Sequence, residues 1–204
     1  MGASRAGRQT ELTPGAQRVL QAASRLFYER GIHAVGVDLI AAEAGVTKKT
    51  LYDRFGSKEQ IVVEYLSRRD ERWKEFLARR LDAAGPAPRE RILSVFDAAR
   101  EWAQDRSAKG CAMVNAHAEI SDPEHPAHPV IVGQKQWMLA LFEDLLAQAG
   151  AADPGPAART LMLLHEGALV AHGLDVFADP VAHARRQAEA VLDTVLGPDG
   201  GGLR

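Results

Sequence analysis

The sequence predicts an all-α fold of about nine helices, in which an N-terminal three-helix unit built on a helix-turn-helix precedes a larger helical body. Three observations carry this. Apolar residues recur at intervals of three and four along most of the chain, and no strand-like alternation of useful length occurs. The stretch Ile40–Phe55 divides at a glycine turn into two short helices. Capping residues and helix breakers stand where those periodic runs begin and end.

The first helix is expected over Thr13–Arg30. Thr13 caps it, Pro14 sits where its missing N–H costs nothing, and Val19, Ala22, Ala23, Leu26 and Phe27 form one stripe. Gly31 ends it, and Ile32 and Val37 anchor the following loop. The second helix spans roughly Val37–Ala44, with Ile40, Ala41 and Ala44 at helical spacing. Gly45 supplies a backbone position where a Cβ is a liability, and Val46 is a small apolar plug. Thr47 is a good N-cap for a third helix, Thr47–Arg54, rich in cations and hydroxyls. Two short helices joined this way fit a major groove, where free N–H groups meet phosphates and the first turns meet base edges. A helical hairpin without that role is the plainer reading of this stretch alone. Phe55 closes a small core with Leu26, Phe27, Ile40 and Leu51.

Ser57 and Gln60 form a capping box that opens a long fourth helix running to about Leu81, with Ile61, Val62, Tyr65, Leu66, Trp73, Phe76, Leu77 and Leu81 on its apolar face. Such a helix, about 35 Å long, reaches from the head into the body, and tilting it would move the head. After the break at Gly85-Pro86-Ala87-Pro88, a fifth helix is expected over Arg89–Gln104 and a sixth over Gly110–Glu119. Ser121–Pro129 is a proline-rich connector. Helices seven to nine follow over Val130–Ala149, Pro154 to about Gly173, and Asp179-Pro180 to Leu196. The domain expectation is a flexible arm at 1–12, a head at 13–56, a body at 57–198 and a flexible tail at 199–204.

Composition restricts the function classes. Apolar residues make up 46% of the chain, enough for a substantial core, and the net charge of −2 argues against a nonspecific nucleic-acid coat. The charge is unevenly spread: residues 1–58 hold nine Lys/Arg against five Asp/Glu, and the rest holds sixteen against twenty-two. A basic head on an acidic body suits local contact with a polyanion. The single cysteine, Cys111, forms no intrachain disulfide, which fits a reducing, cytoplasmic location. No secretory leader and no apolar run of membrane-spanning length is expected.

Residues 31–66, GIHAVGVDLIAAEAGVTKKTLYDRFGSKEQIVVEYL, resemble the N-terminal region of the TetR family of bacterial transcriptional repressors. Gly31, Ala34, Ile40-Ala41, Ala44-Gly45-Val46-Thr47, Thr50-Leu51-Tyr52, Phe55 and Ser57-Lys58-Glu59 carry the likeness. The segment KGCAMVNAHAE, residues 109–119, looks like one found in a subset of such regulators. The chain departs from the pattern at Val35-Gly36, where a side-chain cap is lost, at Lys49, often glycine, and at Asp53-Arg54. Those departures bear on which operator is read.

The resemblance implies that Thr47, Lys48, Lys49, Thr50, Tyr52 and Arg54 face the groove or its walls, with Lys58 as a phosphate clamp; Leu51 and Phe55 belong to the core. The chemistry agrees, since lysines reach phosphates or guanine edges and hydroxyls bond the backbone. One head reads few base pairs, so a homodimer on a palindromic operator in double-stranded DNA is implied. The resemblance puts the interface on the last two helices, with Leu164, Gly167, Ala168, Ala171, Ala184, Ala188 and Val191 as its candidates. The body then binds a small apolar or amphipathic effector, and Trp102, Met113, Asn115, His117, Trp137, Leu141 and His165 are candidates to line the pocket. Each also suits plain core packing. The alternative is a DNA-binding regulator without a small-molecule ligand.

Catalysis is not expected. Cys111 and His117 lie on different sides of a helix and make a poor dyad. His125 and His128, with Glu119, Asp122 and Glu124 nearby, lack a zinc-ligand spacing. No metal or cofactor is expected.

Overall fold

In the computed structural model of the protein, residues 12–197 are described; the arm before them and the tail after them lie outside that range. All regular structure among the described residues is helical: α1 (Pro14–Arg30), α2 (Val37–Ala44), α3 (Lys48–Phe55), α4 (Lys58–Ala83), α5 (Pro88–Arg106), α6 (Ala112–Glu119), α7 (His128–Gln148), α8 (Pro154–Leu174) and α9 (Pro180–Leu196). The chain forms two compact units, one ending at Tyr65 and the other beginning at Leu66. No helix among the described residues is long and apolar enough to cross a membrane.

The first unit is organised by its helix ends. Thr13 Oγ1 accepts from Ala16 N at 3.3 Å, and Pro14 takes the first helical position. Gly45 closes α2 in the left-handed region, φ 61° and ψ 42°. Its N–H donates to the Ala42 carbonyl while Val46 N–H donates to that of Ala41, a Schellman closure that turns the chain sharply toward α3. Gly36 starts α2 with no side-chain cap, as the sequence Val35-Gly36 requires. Leu26, Ile40 and Leu51 are fully buried and Phe27 and Phe55 nearly so. Tyr65 contributes its ring 5.8 Å from that of Phe27. Leu12, expected in the arm, is buried, and its carbonyl accepts from Gln17 Nε2.

In the second unit α5, α7, α8 and α9 pack on one another, and α6 packs on α7. The core runs from Leu77 and Ile92 through Phe96, Met138, Phe142 and Leu161 to Ala188 and Leu192. Several helix bounds differ from expectation for identifiable reasons. Thr47 is the cap of α3 and not its first residue. Gly110, at φ 75°, is outside α6, which begins at Ala112. Pro129 lies in the first turn of α7 and does not precede it.

Two glycines fix a close approach. A Cβ on Gly110 would stand 2.6 Å from the Leu169 carbonyl oxygen, and one on Gly173 would stand 2.7 Å from the Lys109 carbonyl carbon. The loop before α6 therefore rests backbone-to-backbone on the last turns of α8.

Candidate functional site

The face of α3 follows from its capping. Thr47 Oγ1 accepts from Thr50 N at 3.1 Å, and the two hydroxyls lie 3.0 Å apart. This pins the first turn of a helix too short to be stable by itself. Leu51 and Phe55 turn inward, leaving Thr47, Lys48, Lys49, Thr50, Tyr52 and Arg54 all exposed; Lys58, at the first position of α4, is half-buried. Ser57 Oγ accepts from Gln60 N at 3.1 Å, the N-cap half of the capping box expected for α4. Arg18 Nε donates to the Ala44 carbonyl at 3.0 Å, and Arg25 pairs with Glu43, so α1 holds the end of α2.

The sequence did not foretell how the cations of α3 are held. Lys48 pairs with Asp38 of α2, and Lys49 Nζ lies 2.6 Å from Asp53 Oδ2. Asp53 thus partners Lys49 one turn earlier, an i,i+4 pair, and not its neighbour Arg54, whose guanidinium sits over the Phe55 ring at 5.8 Å. Both lysine pairs are exposed, so each is worth only about 0.2–1 kcal/mol and yields readily to a phosphate.

Within the second unit is a cavity of about 50 Å³ whose walls include Trp73, Trp102, Met113, Gln134, Lys135 and His165. Of the expected lining residues it gathers Trp102, Met113 and His165. Asn115, His117, Trp137 and Leu141 are not part of its wall. Asn115 Nδ2 is spent on the Lys109 carbonyl at 2.9 Å, and His117 stacks edgewise on His128. The Trp137 ring carries the Lys74 ammonium at 4.9 Å, and Leu141 packs on the core from outside.

One wall of the cavity is a polar cluster. Lys135 Nζ lies 2.7 Å from Glu166 Oε2 and 3.2 Å from Cys111 Sγ, and His165 Nδ1 lies 3.2 Å from Glu166 Oε1. Burial alone would raise the Glu166 carboxyl; the hydrogen bond from His165 and the charge of Lys135 outweigh it and hold the carboxyl at about 2. Burial alone would lower the Lys135 ammonium, and Cys111 and Glu166 outweigh it in turn, so it is raised. Gln134 and Lys135 were missed as cavity residues. The available signal was that Gln134 occupies a core position in the stripe Ile131, Gln134, Met138, Phe142, Leu145.

The expected interface residues divide in two. Ala168, Ala184 and Ala188 are buried in the unit's own core. Leu164 and Val191 are half-buried against that core, Ala171 is half-buried, and Gly167 is exposed. The open apolar face of α8 is instead Leu163, Val170 and Leu174, at 74, 43 and 70% exposure, and with Gly167 they form one row at i, i+4, i+7 and i+11.

The histidine loop is self-contained. His125 Nδ1 accepts from Ala127 N at 3.1 Å, and His128 Nε2 lies 2.8 Å from the Asp122 carbonyl oxygen.

Comparison with known proteins gives this geometry a family. The family model described as bacterial regulatory proteins, tetR family, matches residues 19–65, which span α2, α3 and their flanks. The uncharacterized HTH-type transcriptional regulator Rv1255c of Mycobacterium tuberculosis is 30% identical over 148 residues, 72% of this chain and 68% of that protein. The HTH-type transcriptional repressor KstR2 of Mycolicibacterium smegmatis is 32% identical over 150 residues, 71% of this chain and 69% of that one. The crystal structure of SCO4454, a TetR-family transcriptional regulator from Streptomyces coelicolor, superposes with a TM-score of 0.83 at 34% identity, covering 89% of this chain and 96% of that one. With a capped, cation-bearing α3 behind a Schellman turn, an all-helical body and relatives that match it over two thirds of the chain or more, the chain belongs to the TetR family of DNA-binding bacterial transcriptional regulators.

Proposed function

We propose that the protein is a homodimeric repressor that occupies a palindromic operator and leaves it when a small molecule enters the cavity beside Trp73 and Trp102. The observation that carries the DNA half is the division of α3, with Leu51 and Phe55 buried and every hydroxyl, lysine and arginine of the helix exposed. In this reading Lys48, Lys49, Arg54 and Lys58 neutralise phosphates or reach guanine, and Thr47, Thr50 and Tyr52 bond the backbone or pack on thymine. The likeness to KstR2, named a repressor, favours repression as the sign of control.

Two copies pair through the row Leu163, Gly167, Val170 and Leu174 of α8, with Ala171, Leu164 and Val191 at its margin. Exposed leucines in a row, with a glycine that lets backbones approach, suit a helical bundle between copies. In this reading residues 13–56 are the reading head and residues 57–198 the ligand-binding, dimerising body.

Release works by linkage. Trp73 lines the cavity and lies on α4, a single helix from Lys58 to Ala83 whose first turns belong to the DNA-binding unit. A ligand that prefers a tilted α4 lowers affinity for the operator by its differential affinity for the two forms.

The test is the double variant Lys48→Ala, Thr50→Ala. It should bind the operator at least about tenfold more weakly, as expected when phosphate and base contacts are lost from both half-sites, while remaining dimeric. Unchanged affinity would mean that another element reads the DNA. Induction of the target promoter on binding, in place of repression, would overturn the sign of control.

A further inference from the structure

The cavity wall carries hydrogen-bonding atoms that the protein leaves unmet. Gln134 and His165 both line it, at 6 and 3% exposure, and Gln134 Oε1 and His165 Nε2 have no partner. Asp70, also in the wall, has Oδ2 paired with Lys74 at 2.6 Å while its Oδ1 is unmet. Buried polar atoms without partners are costly and uncommon, and three around one cavity point to a ligand.

Their chemistry selects the ligand. A carboxylate only accepts, so the contact between His165 Nδ1 and Glu166 Oε1 places the imidazole hydrogen on Nδ1. In the neutral ring Nε2 is then a lone pair. With the ring in that form, all three unmet atoms are acceptors. Three neighbouring donors are already engaged: Lys135 Nζ on Glu166 and Cys111, Arg69 on Ser107 and the Arg106 carbonyl, and Trp73 Nε1 on Met138 Sδ. The charged side chains in the wall, Arg69, Asp70, Lys135 and — beside the wall — Glu166, balance in sign, so no net charge calls for a counter-ion. The remaining surface is apolar and aromatic, chiefly Trp73, Trp102, Met113 and Leu169.

We infer that the cavity takes a small neutral molecule with an apolar, flat body that donates a hydroxyl hydrogen to Gln134 Oε1 or His165 Nε2, of which phenol is the simplest representative. This deepens the effector reading above and rests on it. The half-open cavity, about 50 Å³, has a third of the roughly 150 Å³ that admits benzene. A ring of that size therefore enters by displacing Trp102, the half-buried wall, whose ring sits 5.6 Å from Trp73. Ligand entry thus changes the Trp73–Trp102 pair, and that change is the signal to read.

The test titrates the full-length protein with phenol, with toluene, which has the same number of heavy atoms and no donor, and with benzoate, which is anionic and acceptor-only. Tryptophan fluorescence and thermal shift report binding. Phenol should bind about tenfold or more tightly than either, the worth of one buried hydrogen bond. At least one of Gln134→Leu and His165→Phe should bring phenol within about threefold of toluene. Toluene or benzoate equal to phenol in the unaltered protein, no binding of phenol, or a phenol preference that survives in both variants would overturn the inference. The unaltered protein alone decides if a variant fails to fold. Operator release is measured separately: phenol binding without release refutes the effector reading and leaves the ligand class standing. Release by other compounds with no preference for phenol does the reverse.

Discussion

Replacing Gly173 with alanine tests whether the loop before α6 is locked onto α8. The added Cβ would lie 2.7 Å from the Lys109 carbonyl carbon, 2.8 Å from its oxygen and 2.9 Å from Gly110 N. All three are backbone atoms, so no rotamer change relieves the contact. Restoring ordinary contact near 3.4 Å requires the loop and α8 to separate by about 0.7 Å. Overpacking of this kind costs about 1–3 kcal/mol. In a chain of this size that lowers the melting temperature by roughly 2–12 °C. Gly110 and Cys111 both line the cavity, so the shift also reshapes the ligand site. Differential scanning calorimetry reads the first effect and phenol titration the second. Alanine at Gly110, where φ is 75° and the new Cβ would meet the Leu169 carbonyl at 2.6 Å, should cost at least as much. The double variant should cost less than the sum, because one separation relieves both contacts. A melting temperature within about 1 °C of the parent for Gly173→Ala would refute the lock.

Three further outcomes follow from the same structure. Thr47→Ala removes the cap of α3 and should cost about 1 kcal/mol in urea unfolding, with Thr47→Ser restoring most of it; equal stability of all three proteins would show that the cap carries nothing. Leu163→Asp with Leu174→Asp should convert the dimer to monomer in sedimentation, whereas Ala188→Ser, at a fully buried position, should destabilise the fold without changing the assembly at low temperature. The Glu166 carboxyl is depressed from 4.5 to about 2, so its contribution, on the order of 3 kcal/mol, is complete above pH 4.5 and is lost as pH falls toward 2. Glu166→Gln should flatten the acid limb of the stability profile between those values, and an unchanged limb would contradict the pairing.

What the sequence disclosed, and what it did not, divides by range. The caps at Thr13, Thr47 and Ser57 and the turn at Gly45 are local chemistry, and their side chains or backbones do what residue type and position require. Burial of Leu51 and Phe55 follows from spacing within one helix. The alanines of α8 and α9 show the limit of such reasoning. A stripe of small residues is equally suited to a partner copy and to the chain's own α5 and α7, and only the packed unit decides; it turns Ala168, Ala184 and Ala188 inward and leaves Leu163 and Leu174 open. The polar cluster is less legible still. Lys135 meets Cys111 across 24 residues and Glu166 across 31, a meeting that no local pattern encodes. In the same way, Lys48 and Asp38 pair across the turn, so the charge presented by α3 is set partly by α2.

The central claim is that two copies of α3 read a symmetric site in DNA. Selection of bound sequences from a randomised duplex pool with the purified protein tests it most directly. The account predicts enrichment of an inverted repeat whose half-sites are centred about one helical turn, or a multiple of it, apart, and loss of that enrichment with Lys48→Ala, Thr50→Ala. Enrichment of a single unrepeated half-site, or the same repeat from the double variant, would contradict it.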